Sequence, residues 1–195
     1  MHKKFLYVIA LVGATLLVAG CASSNSHDMS MHASSRSSSS ESDYDASAVM
    51  FAQMMIPHHA QAITMADIAM TNTINPEILA LAQQIKGAQS PEIEQMRSWL
   101  KAAGAEELDN ASMMDHGMGM SGMLSDADLE ALRAASGKDF DALFLQGMIA
   151  HHQGAIEMVN MIDENPNQEV KNLGAGIVMA QEAEIATMQT LLEKL

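Results

Sequence analysis

Apolar residues recur at intervals of three and four along two stretches that copy one another. FAQMMIPHHAQAITM (51–65) returns as FLQGMIAHHQGAIEM (144–158), and IKGAQSPEIEQMRSWL (85–100) returns as IVMAQEAEIATMQTLL (177–192). This is the period of an amphipathic helix. It predicts helices over 47–71, 76–102, 139–163 and 166–194. They pair as two helical hairpins, 47–102 and 139–195, joined by a linker over 103–138. Asn75-Pro76 and Asn165-Pro166 are expected as matching helix starts, with Asn as the cap and Pro at the first helical position. Pro91 should kink or break the second helix near Ser90, where the second copy has Ala183. Ser125 with Asp128 resembles a capping box in front of a short helix that should stop at Gly137. The expected class is all-α: a four-helix bundle over 47–195 with approximate internal two-fold symmetry.

The same periodicity places unusual residues on the buried faces. At about 100° per residue, His58 and His59 straddle the midline of the stripe formed by Phe51, Met55, Ala62, Ala66 and Ala69. His151 and His152 straddle the stripe of Phe144, Met148, Ala155 and Val159. The partner helices answer with Gln89 and Glu92, and with Gln181 and Glu184, on their own core faces. A carboxylate on a core face must be paired or ligated, because an isolated buried charge costs several kcal/mol. In an antiparallel hairpin the levels match to within a turn, so Glu92 should face the first histidine pair and Glu184 the second. Gln89, Glu92, Gln181 and Glu184 are therefore candidates as ligands or as partners that orient the imidazoles.

Thioethers accompany the imidazoles at helical spacing. Met55–His59 and Met148–His152 are i,i+4 pairs; Met65 and Met158 lie two turns beyond His58 and His151. Imidazole with thioether, in the absence of thiolate, suits Cu(I), and imidazole also takes Cu(II). Magnesium and calcium want oxygen ligands, and zinc leaves the methionines without a reason. A di-iron centre needs Glu-x-x-His pairs, yet no Glu stands three residues before any of these histidines. No phosphate loop, nucleophile elbow or Cys/His dyad is present.

Methionine is abundant throughout, 19 of 195 residues. Some of it is core filling, but the linker segment MMDHGMGMSGM is too glycine-rich to form a core. Its Met113, Met114, His116, Met118, Met120 and Met123 read as a flexible metal-collecting segment. So do His27, Met29, Met31 and His32 in the Ser-rich stretch 21–46, which is too polar to fold and reads as a tether. Residues 1–20, with Lys3 and Lys4 ahead of an apolar run, read as an export signal. The ending VAGC resembles a lipoprotein box, which implies cleavage before Cys21 and a lipid on it. Cys21 is the only cysteine, so no internal disulfide or thiolate cluster can form. The chain carries a formal charge of −14; losing Lys3 and Lys4 with the signal makes it more acidic still. That argues against nucleic acid as a partner and favours cations.

The doubled pattern FxQxMIxHHxxAIxM with QxxEIxxMxxxL resembles a bacterial family of unknown-function domains that includes periplasmic CopM-like copper-binding proteins. The match covers roughly 45–195. The resemblance implies a ferritin-like bundle that binds copper through His and Met and contributes to metal tolerance. On this chain it implies His58, His59, His151 and His152 with Met55, Met65, Met148 and Met158, and Gln89, Glu92, Gln181 and Glu184 beside them. The expectation is a lipid-anchored, non-enzymatic protein of the cell envelope that sequesters copper or hands it over, with another envelope copper protein as a candidate partner. A copper-dependent envelope redox enzyme and a metal-free structural lipoprotein are the competing readings.

Overall fold

A computed structural model describes residues 43–108 and 120–195. These form helices α1 (Ala46–Asn72), α2 (Pro76–Ala103), α3 (Asp126–Ala134), α4 (Gly137–Val159) and α5 (Gln168–Leu192), with a 3-10 turn over Asn160–Ile162 that prolongs α4. No strand occurs among the described residues. The two hairpins, α1–α2 and α4–α5, are the expected ones. They dock through α1 against α4, and α2 meets α5 on the other side. No helix among the described residues is long and apolar enough to cross a membrane.

The helix starts follow from local chemistry, with one correction to the sequence expectations. Asp45 accepts the Ala48 amide and opens α1; Asn75 accepts the Glu77 amide and opens α2, with Pro76 in its first turn. The second hairpin does not repeat this. The turn after α4 extends to Ile162, whose carbonyl takes the Asn165 amide. Asn165 is thereby left in the connection, and Asn167 becomes the cap of α5 by accepting the Glu169 amide. Asn165 instead ties the hairpins together: its side-chain nitrogen donates to Asp45 Oδ1 and Ser47 Oγ, each at 2.8 Å.

Pro91 does not break α2, which runs uninterrupted from Pro76 to Ala103. Proline removes the donor for the carbonyl four residues back, here that of Gly87. Both Gly87 and Pro91 face solvent, so water is available to that carbonyl. The Ser125–Asp128 capping box in front of α3 is present with both of its hydrogen bonds. The short helix ends at Ala134, earlier than expected. Gly137 opens α4 instead, using φ +60° to reverse the chain out of extended Ser136.

The interior consists of two apolar clusters. One holds Phe51, Met55, Met96, Trp99, Met158, Val159 and Ile177. The other holds Met65, Ala66, Ile85, Phe140, Phe144, Met148 and Met188. Along each of the four long helices the residues of one cluster give way to those of the other. The break falls at 57–61 in α1, 86–92 in α2, 149–154 in α4 and 178–187 in α5. A polar layer fills that break.

Candidate metal centre

Eight side chains make up the layer: His58 and His59 from α1, Gln89 and Glu92 from α2, His151 and His152 from α4, Gln181 and Glu184 from α5. All but Glu92 are buried. Each lies where helical periodicity placed it, and the hairpin register pairs them as expected. His59 Nε2 is 2.7 Å from Glu92 Oε2, and His152 Nε2 is 2.7 Å from Glu184 Oε2. A carboxylate meets Nε2 of each ring, and in the tautomer that donates from Nε2 a neutral imidazole keeps its lone pair on Nδ1.

The two histidine pairs do not build separate sites. The rings of His58 and His151 meet across the α1–α4 contact, with centroids 3.7 Å apart and planes inclined at 40°. Their neighbours His59 and His152 lie 6.5 and 6.4 Å away from them, centroid to centroid. All four imidazoles therefore belong to one layer. His58 and His151 are kept neutral. Burial, followed by the neighbouring imidazole His59, pushes His58 down to about 3 from 6.5. Burial and the proximity of His58 and the other rings push His151 well below its ordinary value, opposed weakly by the His58 backbone.

Chemically, the layer is under-used. The Nδ1 atoms of His58, His59, His151 and His152 are buried without a hydrogen-bond partner, as are Nε2 of His151 and both amide atoms of Gln89 and Gln181. Buried polar atoms are rarely left so, because each costs about 1–3 kcal/mol. Neutral imidazoles with free lone pairs are a donor set suited to a soft or borderline metal ion. Among the described residues no three His, Cys, Asp or Glu side chains form a closed ligand cluster. A metal held here would draw on donors of another type.

Thioethers are the donors at hand. Met55, Met65, Met148 and Met158 are all buried, but they do not group by repeat as the sequence spacing suggested. Antiparallel α1 and α4 bring Met55 and Met158 into one apolar cluster and Met65 and Met148 into the other. Each side of the layer thus has one methionine from each half.

The chain between the hairpins seals one edge of the layer. Ser121 offers its carbonyl oxygen to His58 Nε2 at 3.2 Å. Gln61 grips Leu124 twice, accepting its amide at 2.8 Å and donating to its carbonyl at 2.9 Å. This strap lies against bare helix backbone: a Cβ on Gly154 would stand 1.9 Å from the Ser121 oxygen, and one on Gly122 would stand 2.3 Å from the Ala150 oxygen. Met120 and Met123 were expected in an exposed collecting segment. Both are half-buried, because the strap is drawn onto the bundle; Met120 packs against the apolar core and Met123 lies between the strap, α3 and α4. Gln61, Ser121, Gly122 and Gly154 were not anticipated as parts of the site. The duplication of the motif carried a signal for two of them, since Gln61 and Gly154 occupy the same place in the two copies. Cys21, His27, Met29, Met31, His32, Met113, Met114, His116 and Met118 lie outside the described residues.

The family model described as "Domain of unknown function (DUF305)" matches residues 48–192. Among solved structures, a DUF305 protein from Streptomyces coelicolor superposes with a TM-score of 0.70 at 32% identity, over 78% of this chain and 94% of that one. CopM in its Cu(I)-bound form superposes with a TM-score of 0.63 at 30% identity, over 75% of this chain and 96% of that one. Its Cu(II)-bound form gives 0.64 at 32%, with the same coverage. A comparison with curated proteins gave no match. The fold is the all-α, ferritin-like bundle of these structures.

Proposed function

The chain belongs to the DUF305 family, and we propose that it binds copper in the polar layer between its two hairpins. The observation that carries this reading is the set of four buried imidazoles whose Nδ1 atoms have no partner. His58, His59, His151 and His152 supply nitrogen, and Met55 with Met158 or Met65 with Met148 supply thioether sulfur from either side. Glu92 and Glu184 orient His59 and His152. Gln89 and Gln181 stand within the same layer as polar neighbours. The donor set favours Cu(I) and tolerates Cu(II). CopM, solved with each of these ions, supports the choice of metal.

The protein sequesters or hands over copper, and does so without catalysis. Its place is the cell envelope, with residues 1–20 removed as a signal, Cys21 lipidated and residues 21–46 as a tether. Copper tolerance is the physiological outcome, and another envelope copper protein is the recipient. His27, Met29, Met31, His32, Met113, Met114, His116 and Met118 collect copper for the layer.

Anaerobic Cu(I) titration of the mature chain tests the assignment. Uptake should be tight, should raise the melting temperature because the ion binds the native state, and should be lost when the four helical histidines become Ala. Unchanged stoichiometry and affinity in that variant would refute the site. Sustained oxidation of Cu(I) by the loaded protein would reassign it as an enzyme.

A further inference from the structure

The two carboxylate–histidine arms of the layer are alike in chemistry but not in enclosure. The Glu184 side chain is 3% exposed, and both its oxygens are engaged: His152 meets Oε2, and Gln84 of α2 donates to Oε1 at 3.1 Å. The Glu92 side chain is 18% exposed. Its Oε2 meets His59, and among the described residues no second group meets Oε1.

What stands opposite explains the difference. Helices α2 and α5 run antiparallel, and the contacts Gln84–Glu184 and Trp99–Glu169 set their register. The same register brings position 176 of α5 level with Glu92. That position is the counterpart of Gln84 in the internal repeat, but it is Gly176, and open space lies where its side chain would be. The first arm is therefore uncovered and the second covered.

We propose that the gap between Gly176 and Glu92 is the port through which Cu(I) enters and leaves the layer. It rests on the copper reading above. A carboxylate that reaches solvent draws cations inward. Directly behind it lies fully buried His59, whose Nδ1 is free. The transfer is ligand exchange alone, with no change of oxidation state. The Glu184 arm, locked by Gln84, anchors the layer. The strap is no route, since Gln61 and the glycine contacts hold it against the helices.

The test is Gly176→Gln in the mature chain, which gives the first arm the cover that Gln84 gives the second. Cu(I) loading, and release to a chromophoric Cu(I) chelator, are followed by stopped flow. Both should slow by about tenfold or more, as expected when entry comes to need a rearrangement, with stoichiometry unchanged. Gln84→Ala should speed exchange by uncovering the other arm. Exchange at the wild-type rate in Gly176→Gln overturns the port. Should that variant fail to fold, a wild-type rate in Gln84→Ala overturns it equally. A wild-type protein that takes up no Cu(I) refutes the copper reading itself, which distinguishes the two failures.

Discussion

The two halves of this bundle share their histidines, carboxylates, glutamines and methionines and differ in what covers them. In the first half Gln61 grips the crossing strap; in the second the same place is Gly154, which lets the strap's backbone approach. Gln84 covers Glu184, while Gly176 leaves Glu92 open. Asn75 starts a helix, while Asn165 bridges to the other hairpin. The duplication supplies a symmetric set of donors. The unmatched residues give that set an inside and an outside, a fastened edge and an open one.

Acid should expose the common feature of the halves before their differences. A histidine whose native value lies below its unfolded one takes up protons on unfolding. Stability is therefore complete above the ordinary value of 6.5 and falls as pH drops toward the native value, about 3 for His58. With His151 shifted in the same direction, the metal-free protein should lose on the order of a few kcal/mol between about pH 7 and pH 4.5. Chemical denaturation across that range measures it. His58→Gln and His151→Gln should each flatten the profile, and unequal flattening would show that the Ser121 carbonyl distinguishes the two rings.

The carboxylates come next. Glu184→Ala strands buried His152 Nε2, and should cost about 3 kcal/mol in urea unfolding. Glu92→Ala, where water reaches the vacated space, should cost about 1 kcal/mol. Equal losses would refute the unequal enclosure of the two arms.

The strap contacts should show a smaller contrast. Gly154→Ala drives a methyl into the Ser121 carbonyl and should destabilise by about 1–3 kcal/mol, although Ala is the better helix former. Gln61→Ala removes two hydrogen bonds, partly replaced by water, for about 1 kcal/mol. The helix starts should differ least. Asn75→Ala and Asn167→Ala each remove one cap and should cost about 1 kcal/mol, measured as a shift in the thermal midpoint. A similar loss in both would confirm that Asn167 holds the role at α5 that the repeat had suggested for Asn165.

Much of the architecture is legible along the chain because it depends on distances of only a few residues. The 3.6-residue period sets which side of α1 and α4 the histidines face. Short turns set the hairpins, and a rise of about 1.5 Å per residue sets the level at which Glu92 meets His59 and Glu184 meets His152. The helix starts were less legible. Asn165-Pro166 has the pattern of a start, but the 3-10 turn at the end of α4 overrides it with tertiary contacts to Asp45 and Ser47. Pro91 has the pattern of a break, but an exposed helix face tolerates it.

The all-α class, the two hairpins, the inward histidines and their carboxylate partners all follow from local periodicity and chain geometry. How the hairpins dock follows from neither and is settled by packing between distant segments. Docking turns two histidine pairs into one layer, places one methionine from each half on either side of it, and leaves a gap at Gly176. Those outcomes depend on which side chains are absent at a crossing between helices or between helix and strap. An absent side chain reads along the chain only as a glycine; its meaning comes from what the fold brings against it.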